Sequence, residues 1–164
     1  MRLQALAHVS VVLLSAALLP DAFTSGDWKG QPNFNTDGEF KDCTVSAPAE
    51  AGTRFALIKR VESRLGLLIN DDKLSLRPGS RIAVLLLIDD QAPLPVLGRV
   101  LERDGFVIPL AVEDPIIQTI FKGKNLHVSM VGGEFDFALA GAADALEALR
   151  NCFKTNHDAS RFDL

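Results

Sequence analysis

The chain has no tyrosine and a single tryptophan, Trp28. The aromatic platforms on which bases of a single strand stack are therefore poorly supplied. Positive charge is not in excess either: the formal net charge is -4 at pH 7, which excludes a generally basic nucleic-acid binder. Histidine is scarce, with three in 164 residues. No two of them have ligand spacing, no EF-hand loop occurs, and the acidic pairs Asp71-Asp72 and Asp89-Asp90 read as solvated turns, so no metal site is expected. A glycine loop for phosphate is missing, and no cofactor is implied. There is no glycine-flanked nucleophile elbow, and no catalytic residue can be named. The two cysteines, Cys43 and Cys152, form no C-x-x-C motif, which argues against redox catalysis.

What is present is ordinary for a globular chain: 48% hydrophobic and 23% charged residues. The length suits one domain with its own core. The N-terminus, "MRLQALAHVSVVLLSAALLPDAF", opens on Arg2, continues as an apolar stretch to Leu19 and stops at Pro20. That is the layout of a secretory signal peptide, and it is short for a membrane span of about 20 apolar residues. The leader is placed within residues 1–26. Ser15-Ala16-Ala17 and Thr24-Ser25-Gly26 both offer small residues for cleavage, whereas a cut after Ala22 puts Pro20 at the -3 position. Export places the protein in the periplasm or outside the cell, with no stable transmembrane span once the leader is gone. Two cysteines in an oxidising compartment allow one pairing, Cys43 with Cys152. Such a bridge contributes about 4 to 5 kcal/mol in the chain-entropy model.

Residues 24–39 are rich in Gly, Asn and Asp and read as an irregular lead-in, with Trp28 docking on the core. "FKDCTVSA" reads as a first strand. "RFALIKRV" and "RLGLLIN" follow as strands about Glu62-Ser63, then a short "KLSL" and the turn Arg77-Pro78-Gly79-Ser80. "RIAVLLLIDD" alternates too little for a one-sided strand and is expected to be covered on both faces. Pro93 and Pro95 suggest a loop. Two hairpins are expected, about Asp104-Gly105 and Gly132-Gly133. In the second, Ser129 faces Asp136 and Val128 faces Phe137. Leu126, Val128, Met130, Phe135, Phe137 and Leu139 then share the core face.

Between the hairpins, Asp114, Pro115 and Gly123 bracket a short helix near 114–122. From Ala142 the apolar positions Ala145, Leu146, Leu149, Cys152 and Phe153 recur at helical spacing. This predicts a helix near 142–153 whose buried face carries Cys152 and ties the last element to the first strand. The expected class is therefore α+β: a mostly antiparallel sheet with two helices packed on it, one domain over 27–153, and a polar tail over 154–164.

His127, Ser129 and Asp136 share the outer face of the second hairpin. Residues two apart on a strand stand roughly 7 Å apart, and Asp136 is expected opposite Ser129, so a triad is not formed. Charge is uneven. Arg54, Lys59, Arg60, Arg64, Lys73, Arg77 and Arg81 stand against Glu62, Asp71 and Asp72, a local net of 7 - 3 = +4. From Ile82 onward seven basic residues meet twelve acidic ones, a net of 7 - 12 = -5. The seven basic residues from Arg54 to Arg81 are a candidate patch for an anionic partner if they share a face.

The ending "FDFALAGAADALEALRNC" resembles the close of small exported proteobacterial proteins that run strand, Phe-x-Leu-x-Gly, then an Ala-Leu helix with a closing cysteine. Leu76 to Leu149 also resembles the invasion-associated locus B family: the Pro78-Gly79 turn, strands, a short helix, a hairpin and a final Ala-Leu helix. The resemblance implies a periplasmic or secreted domain with an envelope-associated or host-interaction role, and no catalytic residue. The expected function is a non-enzymatic module that binds a protein or an anionic envelope component. The alternative is an envelope hydrolase, or an inhibitor of an envelope enzyme.

Overall fold

A computed structural model describes residues 22–61, 65–111 and 115–159. Ten strands in one antiparallel sheet carry the fold: β1 (Phe23–Ser25), β2 (Trp28–Phe34), β3 (Phe40–Ser46), β4 (Thr53–Arg60), β5 (Leu65–Asp71), β6 (Arg81–Ile88), β7 (Leu94–Glu102), β8 (Gly105–Leu110), β9 (Asn125–Met130) and β10 (Gly133–Ala138). Helix α1 spans Pro115–Lys122 and α2 spans Ala142–Ala159. The spatial order is β1-β2-β3-β4-β5-β8-β7-β6-β9-β10. The α+β expectation is thereby corrected. The protein is β-dominant, because segments read as loops are strands that complete one continuous sheet.

One face of the sheet holds the core. Trp28, Cys43, Val45, Phe55, Leu57, Leu67, Ile69, Phe106, Ile108, Leu86, Val128 and Phe137 all point to it. The sheet coils so that its ends meet across this core. Phe55 of β4 stacks on Phe137 of β10 with ring centroids 4.6 Å apart, and the Trp28 indole donates a 2.8 Å hydrogen bond to the Ala140 carbonyl just beyond β10. Helix α2 lies against β1 to β4 and brings Ala142, Ala145, Leu146 and Leu149 into the same core. Its Cys152 is bonded to Cys43 of β3.

The lead-in is two strands rather than irregular chain. In β2, Trp28, Gly30 and Pro32 point inward while Lys29 and Gln31 point out. Gly30 is required there, because a Cβ would lie 2.2 Å from the Phe23 ring. Pro32 is tolerated because β1 reaches only Trp28–Gly30 and no strand on that side calls for its missing N–H. The Cys43 strand is thus the third, not the first. Pro95 is also in a strand: it pairs with Leu85 of β6, and the ladder to β8 begins only at Arg99.

Strand β6 is covered on one face only. Val84, Leu86 and Ile88 are buried, but Arg81, Ala83 and Leu85 are exposed. Its outward positions happen to be apolar, which hid the alternation. "KLSL" is an irregular passage that buries Leu74. Both hairpins turn earlier than expected. Gly105 pairs with Glu102 inside β8, and a Cβ at Gly105 would meet the Asn70 amide at 2.0 Å. That glycine serves a close approach to β5, not a turn. In the second hairpin Met130 pairs with Gly133, so Val131 and Gly132 form the turn, with Gly132 at φ 100°. Its register is two residues off the expected one. A shift of two conserves side-chain parity, so Leu126, Val128, Phe135 and Phe137 keep the expected face.

Helix α1 lies where the sequence places it, although Asp114 falls outside the described residues, as does the turn about Glu62-Ser63. Gly123 ends the helix as expected, its N–H donating to the Thr119 carbonyl at 3.0 Å, and it also answers to packing: a Cβ there would lie 2.5 Å from the Ile88 side chain. Helix α2 runs to Ala159, beyond the expected end near 153 and into the supposed tail. Phe153 packs on Phe40 and on His157 one turn further along, which carries the buried stripe into that tail. Residues 1–21 of the expected leader lie outside the described residues, whereas residues 23–25 form β1.

Candidate functional site

The outer face of the sheet is where ordered side chains remain uncovered by either helix. Along β7 and β8 the ladder ends at Arg99 paired with Val107. Beyond it the strands part: β7 continues on β6 alone, and β8 continues on β5 alone. Pro95 and Pro109 stand on the two diverging stretches. Neither has an N–H to leave unpaired, which makes the split tolerable. A groove of ≈ 580 Å³ lies beside this split, with Ile58, Gly66, Leu101, Val107 and Pro109 along it. Gly66 forms part of its floor, where a Cβ would meet Val107 at 2.7 Å and Ile58 at 3.2 Å. Ala56, Ile58 and Leu68, with Leu101 and Val107 against them, form a small apolar cluster separate from the main core.

Arg60 and Arg99 supply the charge along the groove, and no described carboxylate lines it. Arg81 sits directly across the ladder from Arg99. The described ion pairs both involve histidine, and none takes up these arginines. Past Arg81 and Arg99 the same face continues as Ala83, Leu85 and Leu97, with Leu85 43% and Leu97 60% exposed.

The seven basic residues of the expected patch do not all gather here. Arg54 and Arg60 are on the outer face at opposite ends of β4. Arg54 donates to the Ser46 hydroxyl at 3.1 Å and lines a separate recess with Lys29 and Gln31. Lys59 points to the other side, its ammonium 4.9 Å from the Phe153 ring centroid. Arg64 lies outside the described residues. Lys73 follows β5 and lines a recess with Glu50, Asp71 and Glu134. Arg77 precedes the Pro78-Gly79 turn, and its carbonyl accepts from the Ser80 hydroxyl at 2.7 Å. Arg81 joins the groove face. Arg99 is the residue that sequence reasoning missed. It belongs to the acidic half of the chain, and only the β6–β7 register sets it opposite Arg81.

The recess near Lys73 holds a buried carboxylate. Thr53 donates a 2.5 Å hydrogen bond to Asp71, and the Lys73 backbone N–H donates another at 2.9 Å. The Thr53 hydroxyl above all, then that N–H and the Lys73 charge, hold the Asp71 carboxyl below the usual carboxylate range, although burial opposes them.

The second hairpin also corrects an expectation. Asp136 faces His127, not Ser129, and His127 Nδ1 lies 2.8 Å from Asp136 Oδ1. Ser129 faces Glu134 instead. The aspartate therefore does orient the histidine, on an exposed strand surface. Ser129 remains two residues along the strand from His127, roughly 7 Å away and beyond hydrogen-bond reach. No group of three or more His, Cys, Asp or Glu among the described residues has metal-binding geometry.

The architecture is a coiled antiparallel sheet whose ends meet over one core, closed by a C-terminal helix with a disulfide to the third strand. One solved protein with a similar fold is invasion associated protein B from Bartonella henselae. It superposes with a TM-score of 0.57 over 83% of this chain and 99% of its own, at 15% sequence identity. The likeness is one of fold. No protein family matches the sequence, and no curated protein does. Among the described residues no helix is long and apolar enough to cross a membrane.

Proposed function

We propose that this protein is a non-enzymatic, exported domain that binds a protein or envelope component through the outer face of its sheet. The observation that carries this reading is the Arg81–Arg99 pair. Like charges directly opposite in a ladder are unfavourable. Basic residues are commonly placed on edge strands to oppose aggregation, but β6 and β7 are both interior strands. Beside two uncovered leucines, the pair makes chemical sense as part of a contact surface. Export is supported by the N-terminal layout and by the Cys43–Cys152 bridge. A host-interaction or envelope role is supported by the fold shared with a protein described as invasion associated.

The enzymatic alternative draws on the His127–Asp136 contact alone. A hydrolase needs a nucleophile within reach of the histidine and donors for an oxyanion, and Ser129 is too far along the strand to be that nucleophile. A photo-cross-linking amino acid at Leu97, in cells that make the protein from the full sequence, tests the binding reading. Discrete adducts from Leu97, absent when the cross-linker replaces Glu147 on α2, are expected. Equal labelling at both sites, or none at Leu97, sinks it.

A further inference from the structure

We propose that the groove beside the β7–β8 split binds a single anionic amphiphile: an aliphatic chain along the groove and a phosphate head between Arg60 and Arg99. The inference rests on the outer face being a binding surface and names the ligand for one part of it.

Three observations converge. The groove has a volume, ≈ 580 Å³, within the range of small-molecule sites. Part of its wall is aliphatic: Ile58, Leu101, Val107 and Pro109 offer no side-chain hydrogen-bond donor or acceptor. An alkyl chain laid along them leaves water without giving up a hydrogen bond. Among the described residues the charged side chains along it are two guanidiniums, groups that hold phosphate through paired N–H donors. Asp42 faces Arg60 across the β3–β4 ladder, but its carboxylate accepts from the Asn33 amide at 2.6 Å and makes no ion pair with Arg60. The cations are thus free to meet an anion from outside.

The test uses the oxidised, exported form and titrates four probes: lysophosphatidylglycerol below its micellar concentration, lysophosphatidylcholine with the same chain, inorganic phosphate, and vesicles containing phosphatidylglycerol. Binding of one lysophosphatidylglycerol per protein is expected, with lysophosphatidylcholine weaker. Arg99→Gln and Arg60→Gln should each weaken it by about tenfold, as loss of a charged hydrogen-bond partner does, with unchanged melting temperature. Arg54→Gln, at a separate recess, should leave it unaltered. Phosphate binding as tightly as the lysolipid would overturn the role of the chain. Binding to vesicles but not to the monomeric lysolipid would overturn the groove in favour of a flat membrane contact. No binding to any probe, alongside intact Leu97 cross-linking, would overturn this inference and leave the binding reading standing; loss of both would remove both.

Discussion

Phe137 lies almost parallel to Phe55, 4.6 Å away between ring centroids, although β10 and β4 are separated by five strands in the sheet. No backbone hydrogen bond joins these two strands. Side-chain packing is what brings the far end of the sheet back over its beginning. Phe137→Ala should therefore cost about 3–5 kcal/mol, the range for a buried phenylalanine. Denaturant unfolding followed by Trp28 fluorescence checks it. Trp28 is the sole tryptophan and is buried against Phe55 and Ala140, so its emission reports the same closure. A loss below about 1 kcal/mol would mean that the ends are held together by something else.

The bridge between Cys43 and Cys152 spans a sequence separation of 109. Replacing both cysteines with serine should lower stability by about 3–5 kcal/mol. Melting with and without reductant gives the same comparison in the unmodified chain. An unchanged melting temperature would show that α2 is held on β1 to β4 by its apolar stripe alone.

Thr53 and Asp71 yield a pH dependence. The folded carboxyl titrates below its unfolded counterpart near 3.9. Its contribution to stability is fully present above that unfolded value and is lost as pH falls through the folded one. Thr53→Val removes the largest cause of the shift and raises the folded value towards the unfolded one. It should cost about 1–3 kcal/mol at neutral pH and less as pH falls through the folded value. Circular dichroism melts across the acid range check this, and a loss that does not change with pH would remove Asp71 from the account.

Strand β1 bears on where the expected leader would be removed. Phe23 packs over Gly30 and pairs with it. Removal of the chain through Gly26 would strip β1 from the sheet and uncover Gly30 and Trp28. Intact mass of the exported protein should place the mature N-terminus before Phe23. A chain starting at Asp27 would contradict it.

Much of this fold is legible in the sequence wherever one face is apolar and the other polar. The second hairpin and α2 show this, since period and parity alone fix which side chains are inside. What the sequence conceals are the places where a residue type serves two purposes. Gly105 looks like a turn residue and is instead a point of close approach, and Gly123, which closes α1 as expected, is a point of close approach as well. Pro32 and Pro95 look like loop markers, yet each sits where a neighbouring strand stops short. Leu85 and Leu97 make their strands look buried although they face out. The groove shares this obscurity. Arg60 and Arg99 are distant in sequence and line one groove only through the order β4-β5-β8-β7, a crossover that no local pattern announces.

The disulfide also changes what the molecule is as a covalent object. Between Cys43 and Cys152 the chain is a closed ring, and every strand from β4 to β10 lies wholly within it. A protease that cuts one exposed loop of that ring, such as the passage around Asp89-Asp90, releases no fragment. The nicked protein stays one piece, with β5 to β8 still laced to their neighbours. Wherever proteases are met and repair is absent, a single cut is a scar and not a loss.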